Sequence, residues 1–93
     1  MADQKSIKLE FEITNQLGLH GRPASLFVQT AANFKSDIFV EKDGAEVDGK
    51  SIMNLLMLAA GIGTKIRISA IGEDCEEAIM AIANLFKQKF NEE

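Results

Sequence analysis

The chain holds one cysteine, one histidine and one proline in 93 residues, and it has no run of 18 apolar residues. Each scarcity excludes something. Cys75 cannot form an internal disulfide, and the acidic residues around it, Glu73, Asp74, Glu76 and Glu77, blunt a thiol's reactivity. Without a long apolar run, or a basic stretch leading into one, neither a membrane span nor a secretory signal is expected, and the cytoplasm is the predicted location. Basic residues are also in deficit, ten against fourteen acidic, for a formal net charge of −4. Binding a nucleic-acid backbone needs a positive surface that this balance does not supply. A protein partner fits better. The length suits one domain, 1–93, with no repeats, linkers or low-complexity stretches beyond polar ends at Met1 to Lys5 and Asn91 to Glu93, where fraying is expected.

What is present is strongly patterned. Ile7, Leu9, Phe11 and Ile13 alternate with Lys8, Glu10 and Glu12, the period of a strand with one face on a core. Leu26, Phe27, Thr30, Ala31 and Phe34 recur at helical spacing, predicting a first helix of about four turns. Asp37 to Glu41 and Glu46 to Asp48 flank the turn signal Asp43-Gly44 and read as a hairpin. A second helix is predicted over Ser51 to Ala60, ended by Gly61 and Gly63, with Leu55, Leu58 and Ala59 turned inward. Lys65 to Ala70 alternates as a strand. Asp74 with Glu77 suggests a capping box before a long helix whose stripe is Ala78, Ile79, Ile82, Phe86 and Phe90, with Lys87 and Lys89 near its C-terminus. The order βαββαβα means α+β, with helices on one face of a sheet.

The lone histidine, His20, stands where the first strand pattern stops and the first helical pattern begins, in Leu17-Gly18-Leu19-His20-Gly21-Arg22-Pro23-Ala24-Ser25. Pro23 falls in the first helical turn, where a missing N–H is harmless, so His20 reads as the N-cap or its neighbour. The free amides of Gly21 and Arg22, the positive end of the helix and the Arg22 guanidinium together make an anion site beside the imidazole. A neutral ring nitrogen is a nucleophile near neutral pH and later a leaving group, which suits reversible phosphorylation. Glycine at position 21 is expected to loosen the first turn by up to about 1 kcal/mol relative to alanine.

Two further stretches carry possible chemistry. Gly44 to Ser51 formally satisfies the P-loop pattern G-x-x-x-x-G-K-S, yet Glu46 and Asp48 put two carboxylates where a nucleotide's phosphates would lie, and nucleotide hydrolysis is not favoured. Ser51 also serves as a helix N-cap with no further role required. In the almost uncharged run Ile52 to Ala60, Ile52, Met53 and Leu56 form an apolar patch that suits several partners.

The run around His20 resembles the active-site segment of the HPr family, the histidine-containing phosphocarriers of the bacterial phosphotransferase system, and of its nitrogen-related branch. Asp48-Gly49-Lys50-Ser51-Ile52-Met53 resembles the family's regulatory serine segment, and Gly63 to Ala70 its last strand. Gly21, where the family usually carries alanine or threonine, and Ile62, where a polar or basic residue is common, depart from the pattern. The resemblance implies an open-faced β-sandwich of four antiparallel strands in the order 1-4-2-3 with three helices on one face. It implies a monomeric carrier that needs no metal or organic cofactor. On this view His20 accepts a phosphoryl group on Nδ1 from enzyme I and passes it to an enzyme II A-type domain, while Gly21 and Arg22 hold the phosphoryl oxygens. Ser51 matches a site used by a dedicated serine kinase/phosphorylase in some bacteria, and Ser25, Ile52, Met53 and Leu56 match partner-docking positions. Ile13-Thr14-Asn15 and the Leu85 to Phe90 ending resemble the nitrogen branch instead, which leaves open a regulatory module that signals its phosphorylation state and moves no sugar.

Overall fold

Alternation along the first predicted strand becomes a real strand, β1 (Ser6–Glu12), in the computed structural model, which describes residues 5–91. It is followed by α1 (Gly21–Ala31), the hairpin β2 (Asp37–Lys42) and β3 (Ala45–Asp48), α2 (Ile52–Leu58), β4 (Lys65–Ile71) and α3 (Cys75–Lys87), with a single 3-10 turn at Lys89–Asn91. The four strands are antiparallel in the order β1-β4-β2-β3. The predicted α+β open-faced sandwich is therefore the fold. Most of the predicted fraying ends, residues 1–4 and 92–93, lie outside the described residues.

One face of the sheet makes the core. Ile66, Ile68 and Ala70 of β4 and Ile38 and Val40 of β2 are buried against Ala24, Phe27 and Ala31 of α1, Leu55 and Leu58 of α2, and Ala78, Ile79, Ile82 and Phe86 of α3. Each fully buried aliphatic side chain contributes about 1.5–3 kcal/mol of transfer free energy. β1 is an edge strand, so its inward row is covered unevenly: Ile13, just past the strand, is buried, whereas Leu9 is 45% exposed. On the opposite face Glu41 of β2 pairs with Lys8 at 3.3 Å and Arg67 at 3.8 Å, exposed contacts worth little in water.

The helices differ from expectation in instructive ways. α1 has 11 residues, about three turns and not four, and the chain bends away after Ala31, so Phe34 packs from the following loop. α2 stops at Leu58, with Ala59 in the left-handed region (φ 52°, ψ 44°). Ala59 thereby turns outward and is exposed, and Ala60 takes the buried place. α3 ends at Lys87, which leaves Lys89 beyond the helix. Phe90 also lies beyond it, yet it is buried, its ring edge-on to Phe86 at 5.0 Å, while Phe86 meets Phe11 of β1 at 4.8 Å.

The capping box at Asp74 does not form. Its side chain makes no cap bond to α3. Its carboxylate instead accepts the amides of Lys35 (2.8 Å) and Ser36 (2.9 Å) and the Ser36 hydroxyl, groups nearly forty residues earlier. Two backbone donors and a hydroxyl in the α1–β2 loop outcompete a single cap amide. The Ser36 hydroxyl first, then the Lys35 and Ser36 amides, hold this carboxyl below its ordinary value.

Candidate functional site

The loop from β1 to α1 is fastened at several points before it reaches His20. Ile13 exchanges backbone hydrogen bonds with the segment before β4, donating to Thr64 and accepting from Gly63 at 2.9 and 2.7 Å. Asn15, nearly fully buried, donates its side-chain amide to the Gly18 carbonyl at 2.9 Å. Gly18 has φ +65° and lies so close to Ala60 and Gly61 that a side chain there would overlap the Ala60 carbonyl oxygen. Leu19 then donates its amide to that same carbonyl at 2.9 Å while its side chain fills the core. With Leu19 turned inward, the extended backbone of His20 (φ −125°, ψ 159°) turns its side chain to solvent.

His20 is the N-cap residue of α1 and makes no side-chain capping bond. Its imidazole is exposed, as are Gly21 and Arg22, and Pro23 and Ala24 are buried just behind them. As the first two residues of α1, Gly21 and Arg22 have amides with no acceptor inside the helix, so main-chain donors, a guanidinium and an imidazole share one short surface segment. Gly21 itself differs from expectation. It has φ +53°, where glycine is at ease and alanine costs about 1–2 kcal/mol. The residue thus fits the bend into the helix instead of loosening it.

Ser51 is the N-cap of α2, its hydroxyl accepting the Asn54 amide at 3.3 Å. The preceding P-loop-like residues form β3 and a turn: Asp48 accepts the Lys50 amide at 2.9 Å, and the Lys50 ammonium donates to the Phe34 carbonyl at 2.7 Å. A phosphate loop would need both that amide and that ammonium for its ligand, so the nucleotide reading fails on geometry as well as charge. Among the described residues there is no group of three or more His, Cys, Asp or Glu placed to hold a metal ion. No helix among them is long and apolar enough to cross a membrane.

The apolar patch is real and larger than the sequence indicated. Ile52, Met53 and Leu56 are exposed on α2, and Met57 joins them at 76% exposure while Leu55 and Leu58 face the core. Leu17 and Ile62 are exposed as well, in the two loops that the Leu19–Ala60 bond ties together. Met57 follows Met53 by one turn on α2, so helical spacing carries the signal for it, whereas Leu17 lies in the loop before α1, where no periodicity points to it. Ser25, half-buried on α1, accepts a hydrogen bond from Gln29 at 3.3 Å.

Comparison with known proteins gives the class. Residues 7–88 match the family model described as the PTS HPr component phosphorylation site. The phosphocarrier protein HPr of Neisseria meningitidis serogroup A is 46% identical over 86 residues, covering 92% of this chain and 97% of that protein. The HPr-like protein Crh of Bacillus subtilis is 47% identical over 77 residues, covering 83% and 91%. The crystal structure of HPr-C-His from Thermoanaerobacter tengcongensis superposes with a TM-score of 0.92 at 49% identity, covering 94% of this chain and 98% of that one. This is a phosphocarrier: it conveys a phosphoryl group and is not itself an enzyme. The chain belongs to the HPr family of the phosphotransferase system. Solved structures of relatives also include an HPr dimer from T. tengcongensis, with a TM-score of 0.74, 51% identity and coverage of 86% and 92%.

Proposed function

We propose that His20 takes a phosphoryl group from phosphorylated enzyme I and passes it to an enzyme II A-type domain. A ring nitrogen of the neutral imidazole attacks phosphorus, the bond from phosphorus to the donor breaks, and the charge spread over the phosphoryl oxygens is met by the Arg22 guanidinium and the amides of Gly21 and Arg22. The observation that carries this reading is the exposed N-cap position of His20, set by the inward turn of Leu19 and the left-handed turn of Gly21. Solvent exposure of Arg22 favours a loose grip, which onward transfer requires.

Partners would dock on Ile52, Met53 and Leu56, with Ser25 at the rim of the histidine. A carrier that binds and releases repeatedly calls for a modest interface with an apolar centre. We assign it to work in the cytoplasm as a monomer. Light scattering at assay concentration checks the latter, and a stable dimer would count against it. Ser51 is proposed as a regulatory phosphosite for a serine kinase/phosphorylase. A phosphate there would repel an acidic partner surface and slow transfer through His20 without remodelling the fold.

The deciding experiment incubates the protein with enzyme I and labelled phosphoenolpyruvate, as wild type and as His20→Ala. Acid-labile label on the wild type alone supports the proposal. No label on the wild type removes it, and equal label on the variant moves the site elsewhere. A second reading, a regulatory module whose phosphorylation state is the signal, draws on the similarity to Crh, described as the Bacillus subtilis catabolite repression HPr. Label accepted on His20 but refused by every enzyme II A-type domain offered would favour it.

A further inference from the structure

Three features meet at the end of α2. Ala59 holds a left-handed conformation that alanine disfavours, closing the helix without the glycine usual at such a position. The Lys42 ammonium, reaching over from the last residue of β2, donates to the two carbonyls beside that turn, Leu58 at 3.0 Å and Ala59 at 3.3 Å. The next carbonyl along, that of Ala60, is the one that accepts the Leu19 amide. A lysine at a helix C-terminus satisfies orphan carbonyls and complements the dipole. Here the lysine comes from another element, so it locks the helix end to the sheet.

We infer that Lys42 is a positioning residue for His20, acting through Leu58, Ala59 and Ala60 on the loop that carries the imidazole. The inference rests on His20 being the phosphoryl acceptor. With the ammonium in place, the Ala59 turn and the Ala60 carbonyl are fixed relative to the sheet, and Leu19 is fixed to them. When it is removed, the disfavoured turn relaxes, Ala60 shifts and the adjoining imidazole loses its set position. Small misplacements of a reacting group cost rate steeply.

The test compares Lys42→Met, Lys42→Arg and Lys42→Met with Ala59→Gly, reading both the hydrogen exchange of the Leu19 amide and the steady-state transfer of phosphoryl groups from enzyme I. Lys42→Met is expected to speed Leu19 exchange by about tenfold and lower kcat by about three- to tenfold with a smaller change in KM. Lys42→Arg should restore both, since a guanidinium reaches the same carbonyls. Ala59→Gly should restore most of the loss, because glycine holds the left-handed turn unaided. If Lys42→Met fails to fold, Lys42→Thr, which suits a strand and is too short to reach the two carbonyls, takes its place. Wild-type exchange and kcat in Lys42→Met or its substitute would overturn the inference, as would a loss that neither Arg nor Ala59→Gly repairs. Absence of label on the wild type would instead remove the acceptor reading, and Leu19 exchange alone would then decide whether Lys42 holds the loop.

Discussion

Leu19 and Ala60 are joined by a 2.9 Å hydrogen bond from amide to carbonyl, and both residues are fully buried. The loop that presents His20 and the loop that follows α2 are therefore one packed unit, with Gly18 pressed against it. Gly18→Ala forces a Cβ onto the Ala60 carbonyl at a position with φ +65°. A loss of about 1–2 kcal/mol from the backbone conformation adds to about 1–3 kcal/mol from overpacking. Urea unfolding reads the sum, and a wild-type midpoint would show that the two loops part easily.

Arg22→Ala is expected to slow phosphoryl transfer about 10- to 100-fold, less than the loss of one donor in a water-excluded site because Arg22 is exposed. Arg22→Lys keeps the charge and loses the planar fork, and should fall between the two. Rapid-quench measurement with labelled donor distinguishes them, and an unchanged rate in Arg22→Ala reduces the residue to surface charge.

Gly21→Ala changes sign relative to helix propensity. At φ +53°, with no atom within 4 Å of an added Cβ, the cost is conformational alone, about 1–2 kcal/mol. Thermal unfolding should show the variant less stable than wild type. A more stable variant would mean that this joint adopts an ordinary helical turn in solution.

Asp74 sets an acid limit on stability. Its carboxyl is held below the ordinary value in the folded chain by the Ser36 hydroxyl and the Lys35 and Ser36 amides, so the folded state binds this proton less readily than the unfolded one. Its contribution is complete above the unfolded pKa and is lost as pH falls through the folded value. The urea midpoint should thus drop below about pH 4, and Asp74→Asn should flatten that part of the profile. Identical profiles would show the carboxylate contributes nothing there.

Local signals carried most of the fold. Alternation found β1 and β4, Asp43-Gly44 found the hairpin, and Pro23 placed His20 at the start of α1, as the structure does. The misreadings share a cause. Asp74 has a capping sequence, but its partners Lys35 and Ser36 arrive from α1's far end. Ala59 looked like core because α2 was carried to Ala60, whereas the helix ends at Leu58 under a lysine from β2. Leu9 follows the inward period yet stays open because β1 has a neighbour on one side only. In each case a contact between distant segments overrode a pattern that was locally correct.

The strand order also governs when the molecule can assemble. Among the described residues β1 pairs only with β4, so residues 6–12 have no ladder until residues 65–71 exist, whereas β2 and β3 close on each other across a two-residue turn. During synthesis, the first strand leaves the ribosome and must wait, unpaired, for nearly two-thirds of the chain to follow. The segment that leads into His20 is consequently among the last to be organised, and the imidazole is set on its perch only when β4 zips into the gap between the first strand and the hairpin.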